Sequence, residues 1–326
     1  MTRRVLITGG AGFIGSHVAN RFLGDGWTVE IIDDLSSGKR DNVPSAALLH
    51  VVDIRSPDAA LIVEQGAFDA VVHLAAQMDV RRSVADPRLD ASINVLGTLN
   101  LAEALRRTSA ATRTRFVFTS TGGALYGDLA TPPNAESTPK EPDSPYGIDK
   151  LAAEHFLAYY ARVHGMDTAT VRFANVYGPR QDPHGEAGVV AIFCQRLLEN
   201  RALTVFGDGT QTRDYVHVSD AANATFLAAT AKLPAPGGVD ARAFNIGTGV
   251  ATSVVVLANT LKAVTGIDVP VEFAPKRAGE QQHSFLAITK ARAALGWSPR
   301  VALREGLADT FNWFSSRADV TLTSRS

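Results

Sequence analysis

The chain has 326 residues, 45% of them hydrophobic, which is enough for a large core and a second, smaller lobe. A net charge of -1 without a basic run or stripe argues against nucleic acid, and no apolar stretch is long enough to span a membrane. Cys194, the single cysteine, excludes an internal disulfide and suits a cytoplasmic location, and the scattered histidines give no reason to expect a metal.

Val5, Leu6 and Ile7 read as a short buried strand that runs into Thr8-Gly9-Gly10-Ala11-Gly12-Phe13-Ile14-Gly15. Glycines 10, 12 and 15 fit the dinucleotide fingerprint, and glycines 9, 12 and 15 fit a second spacing with the same physical demand. That demand is a tight turn, close backbone approach to a pyrophosphate and a helix N-terminus aimed at its charge. Residues 16–23 supply the helix. A second strand, Thr28–Ile32, ends at Asp33, 18 residues after Gly15, where a carboxylate can hold the adenosine ribose. A carboxylate there repels a 2'-phosphate and favours NAD over NADP, although Lys39 and Arg40 lie close by.

The same alternation continues. Strands are expected at 47–52, ending at Asp53-Ile54, at 70–74 and at 115–120, with a long helical pattern over 86–105. This rhythm predicts an α/β fold, a doubly wound parallel sheet of the Rossmann type, whose ligands gather beyond the carboxyl ends of the strands. Asp53-Ile54, His73-Leu74-Ala75-Ala76 and Thr119-Ser120-Thr121 lie at such ends. Residues 130–145, rich in proline and polar groups, read as a surface loop.

After Ser144-Pro145 a helix starts over 146–164, and it puts Tyr146 in its first turn and Lys150 four residues on, on the same face. A phenol of ordinary pKa about 10 is a poor base, but a neighbouring cation and a helix N-terminus both favour its phenolate. Residues 178–188 and 234–240 read as further loops, and the polar residues from Ser315 onward as a frayed end. His184, Asp182 and Glu186 sit close enough in sequence to consider a metal, but a polar loop explains them better.

The motifs Thr8 to Gly15, Asp33-Asp34-Leu35, Asp53-Ile54, His73 to Ala76, Asn94-Val95-x-Gly97-Thr98, Thr121 and Tyr146-x-x-x-Lys150 resemble the extended short-chain dehydrogenase/reductase superfamily. Downstream, Arg172-Phe173-Ala174-Asn175-Val176-Tyr177-Gly178-Pro179, Gly207-Asp208-Gly209-Thr210, Arg213-Asp214-Tyr215-Val216-His217-Val218, Asn245-Ile246-Gly247-Thr248-Gly249 and Arg277-Ala278-Gly279-Glu280 resemble its nucleotide-sugar epimerase/dehydratase branch. The resemblance covers nearly the whole chain and is strongest to the UDP-glucose 4-epimerases.

It implies NAD as cofactor, held by Gly9, Gly12, Phe13, Ile14, Gly15, Asp33, Asp53, Ile54, Leu74, Ala75, Ala76 and Asn94, with Tyr146 and Lys150 at its nicotinamide end. Tyr146 is then the base for the sugar 4-hydroxyl while C4 gives up a hydride, Lys150 favours the phenolate, and Thr121 hydrogen-bonds the same oxygen. Asn175, Arg213, Arg277 and Ser284 are implied on the UDP-sugar substrate, the arginines at its phosphates.

Related dehydratases place an acidic pair after the strand-end threonine, and decarboxylases a glutamate; here Gly122 and Gly123 stand there. Epimerisation is therefore favoured, with a UDP-glucuronate epimerase or an NAD-binding regulator as alternatives. Ser284 stands where epimerases restricted to unmodified hexoses carry tyrosine, which implies room for an N-acetyl group. Ala287 departs from the aspartate common in the branch. Residues 1–175 are expected to form the cofactor domain, with later segments returning to it, and 176–326 the substrate lobe. A homodimer through helices 86–105 and 146–164 is the expected assembly.

Overall fold

The structure, a computed structural model, describes residues 2–184, 188–276 and 281–323. The strands are β1 (Arg4–Thr8), β2 (Thr28–Ile32), β3 (Leu48–His50), β4 (Ala70–His73), β5 (Arg115–Thr121), β6 (Thr168–Phe173), β7 (Asn175–Tyr177), β8 (Leu203–Phe206), β9 (Thr212–Arg213), β10 (Tyr215–His217), β11 (Ala243–Ile246), β12 (Thr252–Ser253), β13 (Val271–Ala274) and β14 (His283–Ser284). Seven of them form one sheet in the order β11-β6-β5-β4-β1-β2-β3, and every neighbouring pair in it is parallel.

A parallel sheet needs helical crossovers that cover both faces, so its strands are apolar throughout. Here the crossovers are α1 (Phe13–Gly24), α2 (Pro57–Gln65), α3 (Val80–Ala85), α4 (Pro87–Ala91), α5 (Thr98–Arg106) and α6 (Pro145–His164). The second half of the chain adds α7 (Val189–Leu198), α8 (Val218–Thr230), α9 (Val254–Thr265), α10 (Thr289–Leu295) and α11 (Leu303–Thr323). Along β1, Val5 and Ile7 enter one core with Val18 and Phe22 of α1 and Phe226 of α8. Leu6, facing the other way, enters a second with Ala59 of α2, Leu101 of α5 and Leu157 of α6. A third core joins Phe193, Cys194, Leu257, Leu261 and Leu307 in the second half.

Three expectations need correction. The pattern over 86–105 is helical, but Ser92–Gly97 between α4 and α5 forms a π turn, one residue wider than the α pattern. Residues 130–145 are not simply a surface loop. Asn134 and Glu136 are buried, Glu136 Oε1 accepts the Asn245 amide at 2.8 Å, and Glu136 O accepts from buried Arg172 at 3.2 Å. Glu136 thus has its partners inside, which composition cannot reveal. Finally, the backbone continues helical through Ser315 to Thr323 in α11.

Candidate active site

The glycine loop closes tightly between β1 and α1. Gly9 adopts φ +71, and a Cβ there would lie 2.6 Å from the Ala75 amide nitrogen; at Gly15 it would lie 2.1 Å from Gly9 O. Both positions therefore require glycine. Gly12 is the N-cap of α1 and offers no side-chain cap, and the first turn, beginning at Phe13 and Ile14, contains no acid. The open N–H groups and the positive helix end suit a pyrophosphate, so the chain fits a dinucleotide here. Asp33 lies just past the end of β2, buried, and its two carboxylate oxygens accept from the Ala11 and Leu35 amides, each at 2.9 Å. Burial raises its pKa against these two bonds.

The other strand ends interlock. Leu74 N donates to Thr8 O at 3.1 Å and Ala75 N to Thr8 Oγ1 at 3.2 Å, which sets the segment Leu74-Ala75-Ala76 beside the glycine loop. Buried His73 lies 2.6 Å from Thr8 Oγ1 and 2.9 Å from Thr98 Oγ1, and burial holds it neutral, with a pKa near 3. In the π turn, Asn94 Oδ1 accepts the Gln77 amide at 3.0 Å, while its Nδ2 donates to Gln77 O at 2.9 Å. Asp53 is paired with Arg55, which lowers its pKa. Ile54 is buried close under Gly97.

Helix α6 begins because Ser144 caps it, its hydroxyl accepting from the Gly147 amide at 3.2 Å, with Pro145 at the first position. Gly147 packs so closely on Ala124 that a Cβ would lie 2.6 Å from Ala124 O. This seats Tyr146 above the end of β5. Lys150 Nζ donates to Thr119 O at 3.0 Å and lies 5.9 Å from the Tyr146 ring centroid; Thr121 Oγ1 accepts the Ala124 amide at 3.1 Å. The helix N-terminus and the lysine were expected to favour the phenolate. Instead, burial and the Asp90 carboxylate push the Tyr146 phenol well above the ordinary value, and burial pulls Lys150 down to about 8. In this state the phenol is a proton donor.

Toward the second half, a Cβ on Gly123 would lie 3.8 Å from Thr121 Oγ1 and 3.9 Å from Asn175 Oδ1, so Thr121 and Asn175 flank position 123. Position 122 is closed off by Leu286, 2.5 Å from a Cβ there. Asn175 is exposed on β7. Arg213 on β9 and Ser284 on β14 are register partners across a parallel pair, with Ser284 buried. Arg277 lies outside the described residues. The segment carrying Pro179 and Arg180 leans on α1: His17 Nε2 is 2.9 Å from Pro179 O, and Arg180 donates to Ser16 Oγ at 3.0 Å.

Comparison with known proteins places this geometry. A model described as the NAD dependent epimerase/dehydratase family matches residues 5–247. The chain belongs to that family. It is 44% identical over 320 residues to UDP-glucose 4-epimerase of Mycolicibacterium smegmatis, covering 97% of this chain and 99% of the relative. Among solved structures it resembles UDP-glucose 4-epimerase of Thermotoga maritima with UDP-glucose, at 42% identity and TM-score 0.91, over 97% of this chain and 99% of that one. The Thermus thermophilus UDP-glucose 4-epimerase complex with NAD aligns at 41% identity and TM-score 0.85, over 96% and 99%.

Within this family member, two structural carboxylates escaped the sequence reading. Asp214 is buried and accepts from Thr248 N at 2.7 Å, Thr248 Oγ1 at 2.6 Å, Gly249 N at 3.0 Å and Leu286 N at 3.3 Å, so it ties its own strand end to the segments at 248–249 and 286. Asp90 sits buried under Tyr146. Only an acid between two motif residues, Asp214 after Arg213, was visible as a signal. No helix among the described residues is long and apolar enough to cross a membrane.

Proposed function

We propose that this chain catalyses NAD-dependent 4-epimerisation of a UDP-hexose. The reading rests on one observation above all: the end of β5 carries Thr121 and anchors Lys150 below Tyr146, beside the strand ends that hold the glycine loop, while positions 122 and 123 offer no acid. Bound NAD supplies a hydride acceptor that can also return the hydride. The glycine loop and the N-terminus of α1 hold its pyrophosphate, and Asp33 orders the loop and takes the adenosine ribose. Tyr146, as the phenolate that Lys150 and the positive charge of an oxidised nicotinamide would favour, takes the proton of the sugar 4-hydroxyl and later gives it back. Lys150 offsets the phenolate charge, and Thr121 orients the oxygen. Asn175, Arg213 and Arg277 hold the UDP-sugar. With no acid at 122 or 123, proton removal at a neighbouring carbon has no agent, so inversion without net oxidation is the outcome.

Buried Ser284, small and aligned with Arg213, leaves room for a 2-N-acetyl group. Residues 1–175 with the returning α8 and β11 form the cofactor domain, and 176–326 otherwise the substrate lobe. The protein works in the cytoplasm as a homodimer, joined through the exposed apolar side chains Ile148, Phe156, Tyr159 and Val163 of α6 and Leu96 of the π turn. In an assay with separated products, the wild type should interconvert UDP-galactose and UDP-glucose and turn over UDP-N-acetylgalactosamine. Tyr146→Phe should lose about 10²- to 10⁴-fold in kcat with NAD still bound. A fully active Tyr146→Phe variant would remove the mechanism, and a wild type inert on every UDP-hexose would remove the function.

A further inference from the structure

Between Tyr146 and Lys150 lies Asp149. It is buried on α6, and its carboxyl lies in hydrogen-bonding reach of the Asp90 carboxyl on α4. Asp90 is 1% exposed, and its Oδ1 accepts from Gln77 Nε2 at 2.7 Å. Among the described residues, no group donates to Asp90 Oδ2 or to Asp149 Oδ2. Two ionised carboxylates facing each other away from water repel strongly, and a proton held between them relieves both the repulsion and the missing donor. The Gln77 main chain is clamped by Asn94, so the chain Asn94–Gln77–Asp90–Asp149 runs from the segment after β4 to the helix that carries Tyr146.

The charges around this chain are few. Lys150 is favoured as a cation by Asp90 and then by Glu154, but Glu154 is engaged by buried Arg172 at 2.6 Å. Tyr146 faces Asp90, and His73, which faces Lys150, is neutral. On the neighbouring helices, Arg81 and Arg82 of α3 and Arg88 of α4 are exposed, and Glu103 of α5 is paired with Arg106 and Tyr160. Asp90 is therefore the counter-charge nearest to being uncommitted.

We propose that Asp90 and Asp149 share one proton, and that the single negative charge left on the pair keeps Lys150 a cation beneath Tyr146 without setting two charges against the phenolate. The two are positioning residues, since they act through Lys150, and the proposal rests on the catalytic reading of Tyr146 and Lys150. Burial and Asp90 raise the Asp149 carboxyl to about 7, in accord with a retained proton, and Lys150 is poised near 8. Above neutrality the shared proton leaves, and the second charge then opposes ionisation of Tyr146.

Two measurements on the NAD-loaded enzyme test this. In the infrared spectrum, the wild type should show a protonated-carboxyl stretch that fades as pH rises through about 7 and is absent from both Asp149→Asn and Asp90→Asn. In the pH profile of kcat/KM, Asp90→Asn should move the alkaline limb down by about one unit, because Lys150 loses its counter-charge, whereas Asp149→Asn, which cannot gain the second charge that opposes Tyr146, should move that limb up. A wild type without the carboxyl band, or an Asp90→Asn limb at the wild-type pH, overturns the proposal. If Asp90→Asn does not fold, the infrared comparison of wild type with Asp149→Asn decides. A Tyr146→Phe variant run alongside separates the two failures: if it stays active the catalytic reading has failed, whatever the carboxyl band shows.

Discussion

At the scale of single residues, burial outweighs local charge. His73 and His17 are held neutral by burial, at about 3 and about 4, although both make hydrogen bonds. A histidine whose folded pKa lies below its unfolded value of 6.5 takes up its proton only on unfolding, so acid favours the unfolded chain. Stability should fall as pH drops below about 6.5, with each histidine contributing up to about 1.4 kcal/mol per pH unit until its folded value is reached. His17→Gln can keep a donor for Pro179 O and removes one of the two titrations. Urea midpoints between pH 7 and pH 5 should then show a slope shallower by up to that amount, and an unchanged slope would refute the assignment. Of the residues in the candidate site, those whose placement depends on local spacing were legible in the sequence: the glycines, Asp33, Tyr146 with Lys150. The raised pKa of Tyr146 was not, because it comes from burial and from Asp90, far away in the chain, and both arise only once the helices pack.

Among the elements, β1, β2, β4, β5 and α6 fall within a residue or two of their expected bounds, because apolar runs bounded by glycine, proline and acid are strong signals. The π turn was hidden, since one added residue leaves the apolar spacing of 86–105 nearly intact. It nevertheless has a task, turning Asn94 toward Gln77. Replacing Asn94 with Ala should remove both bonds, destabilise the fold by about 1–3 kcal/mol and weaken NAD binding. Hydrogen exchange reads the local effect directly: the Gln77 amide should lose protection, and unaltered protection there would show that the turn does not hold this segment. The 130–145 segment was misread for the opposite reason. Asn134 and Glu136 are inside, where their main-chain oxygens and the Glu136 carboxylate bond to Arg172 and Asn245, and no property of the segment by itself distinguishes a solvated polar group from a buried one.

For the whole molecule, α6 is apolar on two sides. Ala153, Leu157 and Tyr160 are buried against the sheet, while Ile148, Phe156, Tyr159 and Val163 remain 40–59% exposed. Helical periodicity in the sequence was therefore ambiguous: it announced an inward face and concealed an outward one. If the outward face joins two copies, Phe156→Glu with Val163→Glu should shift the light-scattering mass from twice that of one chain to that of one chain, with the melting temperature of the monomer as a folding check. A wild type already monomeric at micromolar concentration would end that assembly.

The last strand of the principal sheet, β11, is made long after its neighbour β6, and between them the chain builds α7, β8 and α8. During synthesis, then, β6 waits as an unpaired edge with open backbone donors and acceptors, the kind of edge that recruits foreign strands. Arg172, near the end of that strand and already held by Glu154, waits for its second carboxylate, Asp240, which arrives with the segment just before β11. The emerging chain is thus most vulnerable to aggregation in the interval after the nucleotide-binding strands have formed, and a chaperone that shields β6 over that interval would act where this topology most requires it.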